Sequence, residues 1–368
     1  MQTPNGSAER SSRRRATMAD VAHRAGVSRT LVSLIFSDKP GASTDTRDRV
    51  LRAADELAYQ PDRAAQLLAR GRSRTLGVLT DVKQTFQAEM IGTVYDAAEA
   101  AGYEVLLSAS GPTRDERKAI EALLSHRCEG LILFNPLSES TYLRSVSERA
   151  VLTIVGRKVP VHPGHSAGST AGHSGHSAGS TPINTVRSAD NKGIRQSVDH
   201  LVALGHRAIV HVDGGEHSVS IDRRRAYVES MRTHGLEAYV RVIPGAHDEA
   251  AGAAAVRLLL DESDLPTAVL AGNDRSALGV MDELTKAGVS IPGHISIVGY
   301  DDSPLSSLSR IDLTTVRQDS AELARKALEF TVTRLEGDSL EAYESVIEPH
   351  LVVRGTTGPP RTHKISTL

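Results

Sequence analysis

From Thr75 onward the chain alternates between two kinds of segment. Short apolar runs, "TLGVLTD", "YEVLLSA", "CEGLILF" and "RAVLTIVG", are separated by amphipathic stretches such as "EMIGTVYDAAEAAG" and "RDERKAIEALLSHR". A second series follows, in which "RAIVHVDG", "AYVRVI", "TAVLAGND" and "ISIVGYDD" are interleaved with "SVDHLVALG", "RRAYVESMRTHG", "EAAGAAAVRLLL" and "RSALGVMDELTKAG". Apolar strands that alternate with helices bury both faces of a parallel sheet under those helices. Two such series predict an α/β body of two doubly wound parallel-sheet lobes over 75–368. Ligands of open α/β sheets bind beyond the carboxyl ends of the strands, so the cleft between the lobes is the expected site.

The bulk properties narrow the class. The 368 residues are 39% hydrophobic and 24% charged, as in soluble globular proteins. No run approaches the roughly 18 apolar residues of a membrane span. The arginines near the N-terminus are not followed by the apolar stretch of a signal peptide, and Cys128 is the single cysteine. Both features predict a cytoplasmic protein. Charge is unevenly placed. Residues 1–75 hold 14 Lys+Arg against 8 Asp+Glu, while the remainder holds 29 against 37. A basic N-terminal module on an acidic body suggests a polyanionic partner for the first part only.

That module, 17–61, follows a basic tail over 1–16 and reads as all-α. Thr17 can cap a helix, with Asp20 completing a carboxylate capping box. Met18, Val21, Ala22 and Ala25 form its apolar face, Gly26 stops it, and Ser28 caps a second helix whose Leu31, Val32 and Ile35 face inward. Ser43 or Thr44 caps a third. A helix, a glycine turn and a second helix make a helix-turn-helix, whose second helix enters the major groove of double-stranded DNA. Arg29 and Thr30 at its start can meet base edges. Ser28 and Ser33 suit phosphate contacts.

The stretch "MADVAHRAGVSRTLVSLIFSDKPGASTDTRDRVLRAADELAYQPDRAAQLLARGRSRTLGVL" resembles the LacI/GalR family of bacterial transcription regulators. The likeness continues through "LVALGHRAIV", "AGNDRSALGVMDELTKAGVSIPGHISIVGYDDSPLSS" and "LTTVRQD". It implies a body with the fold of periplasmic sugar-binding proteins and a homodimer on a pseudo-palindromic operator. It implies a hinge helix within 62–74 that places Arg63 and Leu68 on DNA, with Leu68 as a minor-groove wedge. The effector residues it implies are Arg223, Asn273 and Asp301. Asp81 and Phe86, in the loop after the first strand, join them as candidates, with Phe86 as the stacking ring. This set suits sugar hydroxyls. A sugar-like effector that releases DNA is therefore expected, the alternative being a co-repressor such as a purine. No cofactor, metal or catalytic residue is expected.

One stretch competes with this reading. G-H-S-A-G occurs at Gly164–Gly168 and again at Gly175–Gly179, matching the nucleophile elbow of serine hydrolases. An elbow serine lies directly between a strand and a helix, but here the preceding strand ends at Gly156 and only Gly, Ser, Thr and His follow. The duplicated unit is read as a low-complexity insertion over 162–181 in one surface loop. Its histidines, His162, His165, His173 and His176, lack the frame of a metal site.

Overall fold

The computed structural model describes residues 16–37, 39–59, 72–111, 113–159, 182–262, 265–337 and 341–362. The hinge helix with Arg63 and Leu68, the insertion and nearly all of the basic tail lie outside the described residues. The chain divides into two compact units, 1–73 and 74–368.

In the first unit, α1 (Met18–Ala25), α2 (Arg29–Phe36) and α3 (Thr44–Glu56) close a small core. The Thr17 hydroxyl accepts the Asp20 backbone N–H at 3.4 Å, and the Asp20 carboxylate accepts the Thr17 N–H at 2.8 Å. This is the reciprocal cap read from the sequence. Gly26 turns the chain at φ +64°, a left-handed conformation that glycine adopts without strain. Ser28 caps α2 by accepting the Leu31 N–H at 3.2 Å, and Ser43, not Thr44, caps α3. Val21, Val32 and Val50 are fully buried between the helices, with Ala22, Ala25, Ile35, Ala53 and Ala54 around them.

In the second unit each lobe is a six-stranded sheet. The first takes β1 (Thr75–Asp81), β2 (Glu104–Ser110), β3 (Gly130–Phe134), β4 (Val151–Val155), β5 (Asn184–Ser188) and β11 (Glu344–Ile347), in the order β11-β5-β4-β3-β1-β2, all parallel. Helices α4 (Thr85–Ala100), α5 (Glu116–Ser125), α6 (Ser140–Ser147) and α11 (Ser320–Glu336) cover it. The second takes β6 (Ile209–Val212), β7 (Arg241–Ile243), β8 (Ala268–Ala271), β9 (Ser296–Asp301), β10 (Thr314–Arg317) and β12 (His350–Val352), in the order β12-β10-β9-β8-β6-β7. Its helices are α7 (Asp190–Ala203), α8 (Ser218–Thr233), α9 (Glu249–Leu260) and α10 (Asp274–Lys286). Buried aliphatic clusters fill both faces of both sheets.

Two details depart from the expected pattern. The run "AYVRVI" begins as a 3₁₀ turn over Glu237–Tyr239, and only Arg241–Ile243 is strand. Strand β12 pairs antiparallel with β10. Both sheets point their carboxyl ends at the cleft, so a strand that enters from the cleft side must run the other way.

The chain crosses between lobes three times, at Ser188–Ala189, at Gln318–Asp319 and at Glu348–Pro349. The sequence points to crossovers near Ser188 and Thr315. The second falls a few residues later because β10 runs to Arg317, and the third, only two residues long, carries no periodic signal. The crossovers are bonded together. The Ser188 hydroxyl donates to Gln318 Oε1 at 2.6 Å, and the Ala189 N–H donates to the Ile347 carbonyl at 2.9 Å.

Candidate functional site

A cavity of about 950 Å³ lies between the lobes, beyond the carboxyl ends of both sheets. Asp81, Phe86, Arg223, Asn273 and Asp301 all line it. The fold brings together five residues that span 220 positions of sequence because each lies at or just after the end of a strand or within the first two turns of the helix after one.

Among the three adjacent arginines of α8, only Arg223 faces the cavity. Arg224 is turned to the buried Asp213, and Arg225 lies 3.6 Å from Asp222 at the surface. Arg223 is 4% exposed. Its Nε donates to Asp190 Oδ1 and its Nη1 to the Gly272 carbonyl, each at 2.8 Å, and the guanidinium lies 3.6 Å from the centre of the Tyr300 ring. A buried guanidinium is tolerated because a carboxylate and an aromatic face hold it. Donor capacity remains for a ligand.

Asn273 caps α10. Its Oδ1 accepts the Ser276 N–H at 2.9 Å, while its Nδ2 makes only a long 3.5 Å contact with the His247 carbonyl. Asp301 ends β9 at φ +121°, a strained backbone that aims the carboxyl into the cleft. Gln318 Nε2 donates to Asp301 Oδ1 at 2.8 Å. Burial pushes the Asp301 carboxyl up to about 8, against the opposing pull of Arg223. Its neighbour Asp302 takes the other course. Burial alone would raise it, but hydrogen bonds from Arg354 at 2.6 Å, Ser306 at 2.8 Å and Arg317 at 2.5 Å outweigh that and hold it low. Adjacent carboxyls thus differ, one lining the cavity and the other held as a structural anchor.

On the first lobe, the Asp81 carboxylate accepts the Lys83 N–H at 3.0 Å. Phe86 is only 8% exposed and packs mainly into the first-lobe core, which limits the ring face available for stacking.

The sequence reading overlooked several cavity residues. Asn135 directly follows β3 at φ +45°, and its buried Oδ1 has no hydrogen-bond partner. Gly156 at the end of β4, φ +102°, makes room for it, since a Cβ there would lie 1.6 Å from that oxygen. The signal was present, because "LILFNP" closes an all-apolar strand on a polar residue just as "VLAGND" does. His217 and His247 stack with ring centres 5.6 Å apart. Burial and the charge of Arg223 push His247 down to about 3, so it is a neutral ring in the wall. Gln84 Nε2 donates to the His247 carbonyl at 3.4 Å and spans the cleft. Among the described residues no group of three or more His, Cys, Asp or Glu could hold a metal ion, and no helix is long and apolar enough to cross a membrane.

In the first unit Arg29 and Thr30 occupy the first turn of α2 and are exposed, as are Ser28 and Ser33. Arg29 and Ser33, four residues apart, share one face. Val32 and Ile35 point the opposite way into the core. A polar edge on a rigidly packed second helix is the arrangement that reads a major groove.

Comparison with known proteins agrees with both halves. Residues 17–62 match the family profile described as bacterial regulatory proteins, lacI family, and residues 198–357 match that of a periplasmic binding protein-like domain. The lactose operon repressor of Escherichia coli (strain K12) is 31% identical over 353 residues, covering 95% of this chain and 93% of the relative. The crystal structure of the lac repressor dimer bound to operator and the anti-inducer ONPF superposes with a TM-score of 0.78 at 28% identity, covering 94% of this chain and 100% of that one. A complex of the transcriptional regulator CelR with cellobiose gives a TM-score of 0.65 at 26% identity, covering 93% and 100%. A helix-turn-helix unit followed by a two-lobed α/β body, matched nearly end to end by a repressor of the same order, makes this chain a member of the lacI family of DNA-binding bacterial transcription regulators.

Proposed function

We propose that the protein is a cytoplasmic, homodimeric repressor, without catalytic activity, that binds a pseudo-palindromic operator and is released by a sugar-like effector seated between its lobes. The observation that carries the effector reading is the convergence of Asp81, Arg223, Asn273 and Asp301 on one cavity. Carboxyl, guanidinium and carboxamide groups together present both donors and acceptors, which matches vicinal hydroxyls. The relative caught with cellobiose carries a sugar on a related fold.

On DNA, Arg29 and Thr30 read bases, and Ser28 and Ser33 hold phosphates. Arg63 and Leu68 belong to the hinge, with Leu68 entering the minor groove. The boundaries that go with this reading are a basic tail over 1–16, a DNA-binding domain over 17–61, a hinge over 62–74 and an effector body over 75–368. The insertion 162–181 has no part in it.

The test is operator affinity with and without each member of a sugar and nucleoside panel, after thermal-shift screening. Weaker operator binding on addition of a sugar supports the proposal. Operator binding only in the presence of a ligand would make the effector a co-repressor. Binding of nucleosides but no sugar would overturn the choice of effector class.

A further inference from the structure

The effector cleft has two chemically different walls, and the first-lobe wall is where the sequence is least sugar-like. Lys83 follows β1, Arg114 follows β2 and Lys118 lies in the first turn of α5. All three are exposed and line the same cavity as Asp301. Among the described residues, none of the three has a carboxylate within ion-pair distance, and the Arg114 guanidinium bonds only the Ser108 hydroxyl, at 3.1 Å. Carboxylates are present on this wall, but each is held by a backbone N–H or by Arg117 and forms no ion pair with these three side chains. Asp81 accepts the Lys83 N–H at 3.0 Å, and Asp115 caps α5 by accepting the Lys118 N–H at 3.0 Å. Glu116 accepts the N–H groups of Leu137 and Ser138 at 2.7 and 2.8 Å. Glu139 lies 4.0 Å from Arg117, whose guanidinium also covers the Tyr142 ring.

A ligand arriving at this wall therefore meets three cationic donors that no carboxylate among the described residues pairs. Neutral hydroxyls would use them poorly, whereas anionic oxygens form shorter, charge-assisted bonds with them. The opposite wall, with Asp301 and Asn273, suits hydroxyls. A cavity of about 950 Å³ has room for both ends of such a molecule.

Building on the effector reading above, we propose that the ligand is a polyhydroxylated ring carrying an anionic group, a phosphate ester or a carboxylate. Its hydroxyls face Asp301 and Asn273, and its anion faces Lys83, Arg114 and Lys118.

Inorganic phosphate is the first probe. Millimolar phosphate should raise the melting temperature of the wild type and not that of Lys83→Ala/Arg114→Ala/Lys118→Ala. Matched trios of a hexose, its 6-phosphate and its uronic acid, in the gluco and galacto series, are the second probe. Calorimetry should show an anionic member binding at least about tenfold tighter than its neutral partner, as expected of a hydrogen bond to a charged group. That gap should close in the triple variant and survive in Arg114→Lys/Lys118→Arg. The tighter anion tells phosphate from carboxylate. A phosphate effect that is absent in the wild type or equal in both proteins overturns the proposal. So does a neutral hexose that binds as tightly as its anionic partners. If that neutral binding is lost in Asp301→Ala, the sugar-effector reading stands and only the anionic end falls. If nucleosides bind and no sugar of any kind does, both fall.

Discussion

Asp301 concentrates the chemistry of the cleft in one residue. It holds a proton to about pH 8 because burial disfavours its charge, and Arg223 only partly offsets that. On the proposed function, ligand hydroxyls that donate to it would favour the carboxylate, so binding would expel the proton. Effector affinity should therefore rise with pH by up to about tenfold per unit below pH 8 and flatten above it. Isothermal titration between about pH 6 and 9 reads this directly. The other groups facing Asp301 do not mask the effect, because Arg223 stays charged, Gln318 does not titrate, and burial raises the neighbouring Asp274 only to about 6, well below Asp301. Asp301→Asn should abolish the slope, and a slope that survives in it would assign the proton elsewhere. The linkage to folding has the opposite sign. Unfolded Asp301 loses its proton near pH 4 while the folded protein keeps it, so this group's contribution to stability declines from about pH 4 to about pH 8. Asp301→Ala should bind operator as the wild type does and lose its response to effector, since a charged acceptor in a desolvated site is worth about 1.5–3 kcal/mol. A wild-type midpoint of response in that variant would remove Asp301 from the site. At this scale the sequence was readable where a polar residue closed an apolar strand, as at Asn273 and Asp301. Asn135 carries the same mark, and it is the packing against Gly156 that gives it weight.

The elements of the first unit were legible almost residue by residue, because caps and turns are local. Thr17, Asp20, Gly26 and Ser28 do in the structure what their spacing says. The strand ahead of α9 was not, since its start is set by long-range contacts, the pairing of Arg241 with Val210 on β6 and the bond from the Arg241 N–H to the Tyr227 hydroxyl at 3.0 Å. Ser28→Ala removes the acceptor for the Leu31 N–H and should cost about 1 kcal/mol in a thermal melt of the first unit. Arg29→Ala lies outside every such contact, so it should leave that melt unchanged. It should instead cost about 1–3 kcal/mol of operator binding and relax choice at one base of each half-site. Equal losses on specific and random DNA would show that Arg29 holds a phosphate instead of reading a base.

At the scale of the effector body, the question is how an occupied cleft changes the relation between the lobes. A ligand acts only through different affinities for two states. The three crossovers are the covalent links between the lobes, and two of them are wired to the site. Arg223 holds Asp190, which follows the first crossover, at 2.8 Å. Gln318, on the second, donates to Asp301 at 2.8 Å and accepts from Ser188 on the first at 2.6 Å. One carboxamide therefore joins a cavity-lining carboxyl to both crossovers. If a ligand draws Asp301 toward its hydroxyls, the Gln318 bond must lengthen or follow, and the Ser188 bond with it. None of this was visible in the sequence, where Gln318 is one polar residue in "VRQDS" and its partners lie 17 and 130 positions away. Gln318→Ala should leave effector affinity within a few-fold of wild type, because Arg223 and Asn273 remain, while reducing the fold-change in operator affinity that effector produces. Couplings of this kind are typically about 1–3 kcal/mol, so the loss should be severalfold at least. Ser188→Ala, which cuts the relay at the first crossover, should give the same uncoupling with effector affinity within a few-fold of wild type. The measurement is a thermodynamic cycle of effector and operator affinities for each protein. A Gln318→Ala protein with weakened effector binding and an intact cycle would make Gln318 a plain ligand contact and leave the crossovers without a role in the response.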